Sequence, residues 1–273
     1  MAPHWKTLLT KTIEDLVEHQ DRTVIFFWDE MPLMLYNIKK RDGEGAAMEV
    51  LDTLRSMRQM HRDLRMVFTG SIGLHNVISS LKRVGYANEP TNDMNTVEVP
   101  PLSPTDAQEL ARRLLDGENI RSADPREVAK VIAGAVDGIP YYIHHVIDQI
   151  VRRGGVANRT AVNGIVNSCL TDSNDSWDMG YYSRRIPIYY LSDECPFALG
   201  LLDILSASRQ PLGFDDLFNR LKSRQATENV EMTRDVLNLL QRDHYVIQQK
   251  DGKYRFRFPL IKRWWKLHRG LAS

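Results

Sequence analysis

Cysteine is nearly absent from this 273-residue sequence, which contains only Cys169 and Cys195. Two thiols are too few for a disulfide scaffold or a cysteine-based zinc site, and such sparing use fits a reducing compartment. Long apolar runs are missing as well. The longest are short ones such as Thr23–Trp28, far below the roughly 20 residues of a membrane span. Glu14 and Asp15 interrupt the stretch that a signal peptide would have to keep apolar. Charge of one sign is also lacking: 36 Lys and Arg face 35 Asp and Glu, for a net charge of +1. No global field therefore selects a polyanion or a cationic partner. The remaining composition, 42% apolar and 26% charged, is that of an ordinary globular protein and excludes disordered and fibrous classes. The length suits about two domains. A soluble, cytoplasmic protein without a membrane partner is expected.

The first hundred residues alternate helical and strand patterns. Trp5, Leu8, Leu9, Ile13, Leu16 and Val17 recur at helical spacing and predict an amphipathic helix over residues 4–19. Val24-Ile25-Phe26-Phe27-Trp28 is an unbroken β-branched and aromatic run that ends on Asp29-Glu30. Continuous apolarity, without alternation, is what a sheet covered on both faces requires. Residues 44–61 read as helix, 64–70 as a second strand and 74–81 as helix again. A loop over 85–95, rich in Asn, Pro and Gly, leads to a third strand, Thr96-Val97-Glu98-Val99. Such alternation argues for an α/β layer with parallel strands.

From residue 101 the pattern is helical. Ser103-Pro104-Thr105-Asp106 and Asp124-Pro125-Arg126-Glu127 each combine an N-cap, a proline at the first helical position and a carboxylate three residues after the cap. Pro140 opens a third helix. Residues 171–178 form a polar connector where a domain break is expected. Helices over 196–206, 214–221 and 230–241 follow. Two short β runs, 245–249 and 254–258, flank Lys250-Asp251-Gly252-Lys253, and Asp-Gly between such runs signals a hairpin. Three helices plus a hairpin outline a winged helix-turn-helix, closed by a last helix through Trp264 and Trp265.

An apolar strand that ends in Asp29-Glu30 puts two carboxylates at the carboxyl edge of a parallel sheet, where open α/β sheets bind ligands. The first suits Mg²⁺, a hard cation that takes oxygen ligands, often through water. The second can orient and deprotonate a water aimed at a phosphate. An ordinary core strand that happens to end in acids has the same pattern. The later motifs add weight. A second strand ends in Thr69-Gly70-Ser71, a third leads into Pro100-Pro101-Leu102-Ser103-Pro104, and a helical segment contains Gly138-Ile139-Pro140-Tyr141-Tyr142.

This succession resembles the latter part of an AAA+/STAND-type P-loop ATPase, most closely the archaeal-ATPase-like group with a C-terminal winged helix. The resemblance extends to Asp243-His244-Tyr245 and to Phe258-Pro259-Leu260 with Trp264-Trp265 near the end of the chain. It implies that residues 24–30 are a Walker B strand, with Asp29 as the Mg²⁺ carboxylate and Glu30 as the catalytic base. Ser71 would be the sensor-1 polar group facing the γ-phosphate. Gly138 and Pro140 would be the GxP element packed near the adenine of ATP. The implied architecture is an incomplete P-loop NTPase parallel sheet over 1–100, a helical lid or extension over 101–175 and a winged-helix domain over 190–273.

The sequence departs from that family at the phosphate cradle. A P-loop needs Gly-x4-Gly-Lys-Ser/Thr, so that backbone N–H groups hold the phosphates while Lys reaches the β- and γ-oxygens. Of sixteen glycines only Gly252 precedes a lysine; Tyr254 follows that lysine, and Ile247 stands where the first glycine belongs. The family places its P-loop strand between the strands that match 65–69 and 96–99. Three explanations are open: a fragment or misplaced start, which ranks first, a natural half, or a degenerate relative. The first two call for an N-terminal complementary segment as partner, and a homo-oligomer is the other partner that the resemblance implies. The favoured function is a signalling or remodelling ATPase that is inactive in this form alone. The alternative is a non-enzymatic DNA- or protein-binding module. Residues 250–269 carry eight cations against the single acid Asp251, a local charge of +7 that could neutralise nucleic-acid phosphates.

Overall fold

A computed structural model describes residues 4–70, 73–83, 85–225 and 228–271. They divide into two compact units, Met1–Val97 and Glu98–Ser273. No helix among the described residues is long and apolar enough to cross a membrane.

The first unit contains α1 (Trp5–Glu18), β1 (Val24–Trp28), α2 (Met31–Asp42), α3 (Glu44–Met60), β2 (Leu64–Phe68) and α4 (Leu74–Arg83). Strands β1 and β2 pair in parallel from Val24↔Leu64 to Trp28↔Phe68. One face of this pair is covered: Leu64 and Met66 enter a core with Met48, Leu51, Leu54 and Met57 of α3, and Phe26 and Trp28 pack against it. The other face is not. Ile25 and Val67 lie exposed, and Phe27 is 73% accessible. The expectation of a sheet covered on both faces is therefore corrected. The apolar run supplies two sticky faces, and only one meets helices in this unit.

The third strand is corrected too. Residues 96–99 take no strand conformation and pair with no neighbour among the described residues, and Val97 and Val99 are 81% and 88% accessible. A strand exists only through its ladder, and the sheet stops at two members. The loop before this segment is tied down by Arg58, whose guanidinium donates to Asp93 Oδ1 (2.8 Å) and Pro90 O (2.8 Å). Arg58 holds the Asp93 carboxyl below its usual range.

Sharp geometry follows β1. Glu30 caps α2 with φ 49° and ψ 37°, the left-handed region, which costs a non-glycine residue about 1–2 kcal/mol. Helix α2 begins at once, with Pro32 in its first turn, where a missing N–H leaves no bond unmade.

The second unit begins with four helices: α5 (Pro104–Gly117), α6 (Pro125–Ala135), α7 (Pro140–Arg152) and α8 (Arg159–Leu170). Their caps match the start signals: Ser103 accepts from Asp106 N (3.1 Å) and Asp124 from Glu127 N (3.0 Å). Two single-turn helices follow, α9 (Tyr181–Arg184) and α10 (Ile186–Tyr189). Then come α11 (Glu194–Ala207), α12 (Phe214–Gln225), α13 (Val230–Arg242), β3 (Val246–Gln248), β4 (Tyr254–Phe256) and α14 (Pro259–His268). Strands β3 and β4 form an antiparallel hairpin with Ile247 opposite Arg255. One continuous apolar core runs through all these helices. It includes the polar connector over 171–178, whose Trp177 is buried with its ring 5.3 Å from that of Tyr142.

A polar cluster locks the single-turn helices to the end of α13. Buried Arg185 donates from Nε to the Tyr245 hydroxyl (2.5 Å) and from Nη2 to Asp243 O (3.2 Å). Its guanidinium lies over the rings of Tyr245 (4.3 Å) and Tyr182 (4.9 Å). Tyr245 donates onward to Tyr182 O (2.6 Å), and Tyr190 donates to Asp243 Oδ2 (2.8 Å). Burial pushes both the Tyr190 and Tyr245 hydroxyls above their ordinary pKa.

Arg185→Ala strands buried polar partners and lowers the urea-denaturation free energy by about 3–5 kcal/mol. Arg184→Ala, next door but exposed on Asp175 and Asp178, lowers it by no more than about 1 kcal/mol. Glu30→Gly, freed of the left-handed penalty but costing more chain entropy, gains up to about 1 kcal/mol. Glu30→Ala retains the strain and gains nothing, so comparing the two in the same denaturation experiment isolates the backbone term.

Candidate functional site

Parallel pairing carries the carboxyl ends of β1 and β2 to one edge. There the backbone is stitched across: Thr69 N donates to Trp28 O (3.0 Å) and Met31 N donates to Thr69 O (3.0 Å). The side chains join as well. Thr69 Oγ1 donates to Asp29 Oδ1 (2.5 Å), and the same oxygen accepts from Glu30 N (3.0 Å). Two donors on one carboxylate oxygen fix the orientation of the Asp29 side chain. Asp29 is exposed and Glu30 half-exposed, so both carboxylates remain open to water. Helix α2 starts just after its N-cap Glu30, and the positive end of its dipole favours negative charge nearby.

The structure thus brings Asp29 and Glu30 together at the sheet edge and adds Thr69, which sequence reasoning named only as part of the strand end. Its hydroxyl, at the residue opposite the end of a parallel partner strand, was the available signal. Ser71, the expected sensor residue, lies outside the described residues.

Gly138 and Pro140 belong to the second unit. Gly138 has φ 69°, and a Cβ there would stand 2.8 Å from Leu102 O. Gly138 N donates to Ala133 O (2.9 Å) and Gly138 O accepts from Leu102 N (3.1 Å). The first bond closes the C-terminus of α6 in the manner of a Schellman motif, the second ties Leu102 to the turn, and Pro140 is the first residue of α7. A local folding role therefore accounts for both residues. Asp137 beside them was not found from the sequence. It too is left-handed, at φ 55°, and its Oδ2 accepts from Leu260 N (2.7 Å). That bond caps α14, whose own N-cap, Phe258, supplies no side-chain acceptor. Burial raises the Asp137 carboxyl above its usual range, against the pull of the Leu260 N–H and of Arg263 and Arg255.

Whether these residues fit Mg²⁺ and a triphosphate divides into two answers. Asp29, with Oδ1 pinned and its carboxylate exposed, offers one carboxylate of the kind that can hold Mg²⁺ together with waters and phosphate oxygens. The triphosphate does not fit this chain's own residues, because no Gly-x4-Gly-Lys-Ser/Thr loop is present. Among the described residues no group of three or more His, Cys, Asp or Glu could hold a metal.

No protein-family model and no curated protein matches the chain. Solved structures do. The chain aligns over 96% of its length with 68% of a Walker-type ATPase of Pyrococcus abyssi, at TM-score 0.65 and 14% identity. It also aligns over 97% of its length with 75% of the Holliday junction branch migration motor RuvB of Thermotoga maritima, at TM-score 0.39 and 14% identity. The first likeness is one of fold: this chain, mostly helical with a small parallel sheet, has a P-loop ATPase-like scaffold.

Proposed function

We propose that the chain is part of an AAA+/STAND-type ATPase in which nucleotide state repositions a C-terminal winged helix for signalling or remodelling in the cytoplasm. The observation that carries this reading is the Asp29 carboxylate, pinned by Thr69 Oγ1 and Glu30 N at the carboxyl edge of a parallel pair. Asp29 is the magnesium carboxylate and Glu30 the general base, with Ser71 as the polar group beyond β2. Gly138 and Pro140 form the element near the adenine. The helices α12 and α13, the β3–β4 hairpin and α14 make the winged helix.

The chain does not hydrolyse ATP alone in this reading, because the cradle for the phosphates is missing from its sequence. A complementary segment supplies it: a strand and a Gly-x4-Gly-Lys-Ser/Thr loop that pair beside β2. Two features support this. The described sheet has only two strands, and its open face presents Ile25, Phe27 and Val67 to water. A second copy of the chain brings the same lack of a cradle, so a homo-oligomer would still need that segment.

A second reading, a non-enzymatic module that binds DNA or protein on a degenerate ATPase scaffold, is favoured by the +7 charge of residues 250–269.

Calorimetric titration with MgATP separates the two readings. The full chain alone is expected to release no binding heat. Mixed with a separately expressed P-loop segment of a related ATPase, it is expected to bind MgATP, and Asp29→Ala is expected to abolish that binding. Absence of Asp29-dependent binding in both arrangements overturns the nucleotide reading. Asp29-dependent binding by the chain alone overturns the need for a complementary segment.

A further inference from the structure

Counted as sequence, the eight cations of residues 250–269 look equivalent; in the structure they are not. Arg257 is paired with Glu98 and touches His244 Nδ1 (2.8 Å). Arg269 grips Asp203 through two bonds (2.9 and 3.0 Å). Lys253 sits 3.5 Å from Asp251. Arg263 donates to the neutral Asn167 (3.3 Å), and Lys250 stands in the hairpin turn. Five of the eight, Lys250, Arg255, Lys262, Arg263 and Lys266, thus form no ion pair with a carboxylate among the described residues, and of these Arg255, Lys262 and Lys266 are set apart by position.

These three form a cluster. Lys262 and Lys266 are one turn apart on α14, a rise of about 6 Å along one helix face. Arg255 comes from β4, where it projects opposite to the buried Tyr254 and Phe256. Two of the three heads are held in place: Lys262 Nζ donates to Ser208 O (2.6 Å) and Arg255 Nη1 to Phe256 O (3.1 Å). Burial, and then Lys266 and Arg255, hold the Lys262 ammonium below its usual pKa, so Lys262 lies within reach of both other charges. The nearby acid, Asp137, spends its Oδ2 on Leu260 N. Elsewhere in the chain, exposed arginines commonly find carboxylates. The one acid near this cluster, Asp137, is half-buried and committed to a helix end, so the cluster keeps positive charge complementary to an anion from outside.

The helix that would read bases in a winged helix is unsuited to that task. On α13, Arg234 lies 4.0 Å over the Phe214 ring and 3.6 Å from Glu231, while Glu231 and Asp235 face solvent. Carboxylates there repel backbone phosphates. The cluster offers the opposite sign on a rigid helix and strand, and two of its three members are lysines. Lysine binds phosphate as a point charge, and the arginine fork can bind it bidentately.

We propose that Arg255, Lys262 and Lys266 form a contact site for the phosphodiester backbone of nucleic acid that does not read sequence. The proposal rests on the nucleic-acid form of the second reading above and narrows it from eight residues to three. Each duplex phosphate contact contributes about 0.9 to the slope of log affinity against log salt.

Anisotropy of a labelled mixed-sequence duplex, titrated with the full chain at several salt concentrations, is the test. The triple variant R255Q/K262Q/K266Q is expected to lower the slope by about 2–3. The double variant R255Q/K266Q, which spares the Lys262–Ser208 bond, lowers it by about 2. Lys253→Gln, whose charge Asp251 already balances, leaves it unchanged. Wild-type slope in both multiple variants overturns the proposal while leaving nucleic-acid binding to other residues. No duplex binding by the wild-type chain at low salt overturns both the proposal and the nucleic-acid reading. Equal binding of polyglutamate overturns the proposal in favour of an acidic protein partner. Asp29→Ala, which tests the nucleotide reading, leaves the slope untouched.

Discussion

Five registered residue pairs between β1 and β2 are the constraint on which the first unit depends. Parallel pairing brings two carboxyl ends to the same edge, so Asp29 and Thr69 become neighbours although 40 residues of chain separate them. An antiparallel pair would have sent them to opposite ends. The same ladder sets which side chains are covered. Leu64 and Met66 go to the helices, while Ile25, Phe27 and Val67 stay in water. The exposed apolar face and the pinned carboxylate are thus two results of one register.

Polar side chains do comparable work in the second unit, across much longer separations. Asp137 reaches Leu260 over 123 residues, and Arg185 reaches Tyr245 over 60. Each satisfies groups that the local backbone leaves open: the first turn of α14 in one case, the end of α13 in the other. Hydrophobic burial holds these helices together without direction, whereas the caps and the Arg185 cluster select one arrangement among those that bury similar area. The left-handed residues sit where such bonds converge. Asp137 and Gly138 turn the chain between α6 and α7 while Asp137 caps a third helix.

Local chemistry was legible in the sequence, and long-range chemistry was not. Ser103 and Asp124 announced α5 and α6 because a cap and its helix lie within four residues. Asp251-Gly252 announced the hairpin for the same reason. Helix α2 went unassigned because its apolar residues are contiguous rather than spaced, and Pro32 reads as a breaker although the first turn tolerates it. Asn158 was a missed start signal: its side chain accepts from Ala161 N (2.8 Å) and opens α8. The strand expected over 96–99 had the right residue types, but strand formation depends on a partner that no local pattern reports. At the site, Asp29 and Glu30 were visible as a strand end. Thr69 and Asp137 were not singled out, since each acts on a residue far away in the chain.

Charge shows most plainly why position outweighs count. The sequence carries nearly equal numbers of acids and bases, and a local sum over residues 250–269 suggests a uniformly positive surface. Folding spends part of that charge internally, with Glu98 on Arg257 and Asp203 on Arg269. Those acids lie 159 and 66 residues away from their partners, so no window on the sequence can discount them. What folding leaves unbalanced is narrower than the sequence sum and more informative. Three cations converge from β4 and α14, near an acid already committed to a helix end. A surface that pairs other arginines with distant carboxylates but keeps these three cations near one another is the ground on which an external polyanion is proposed.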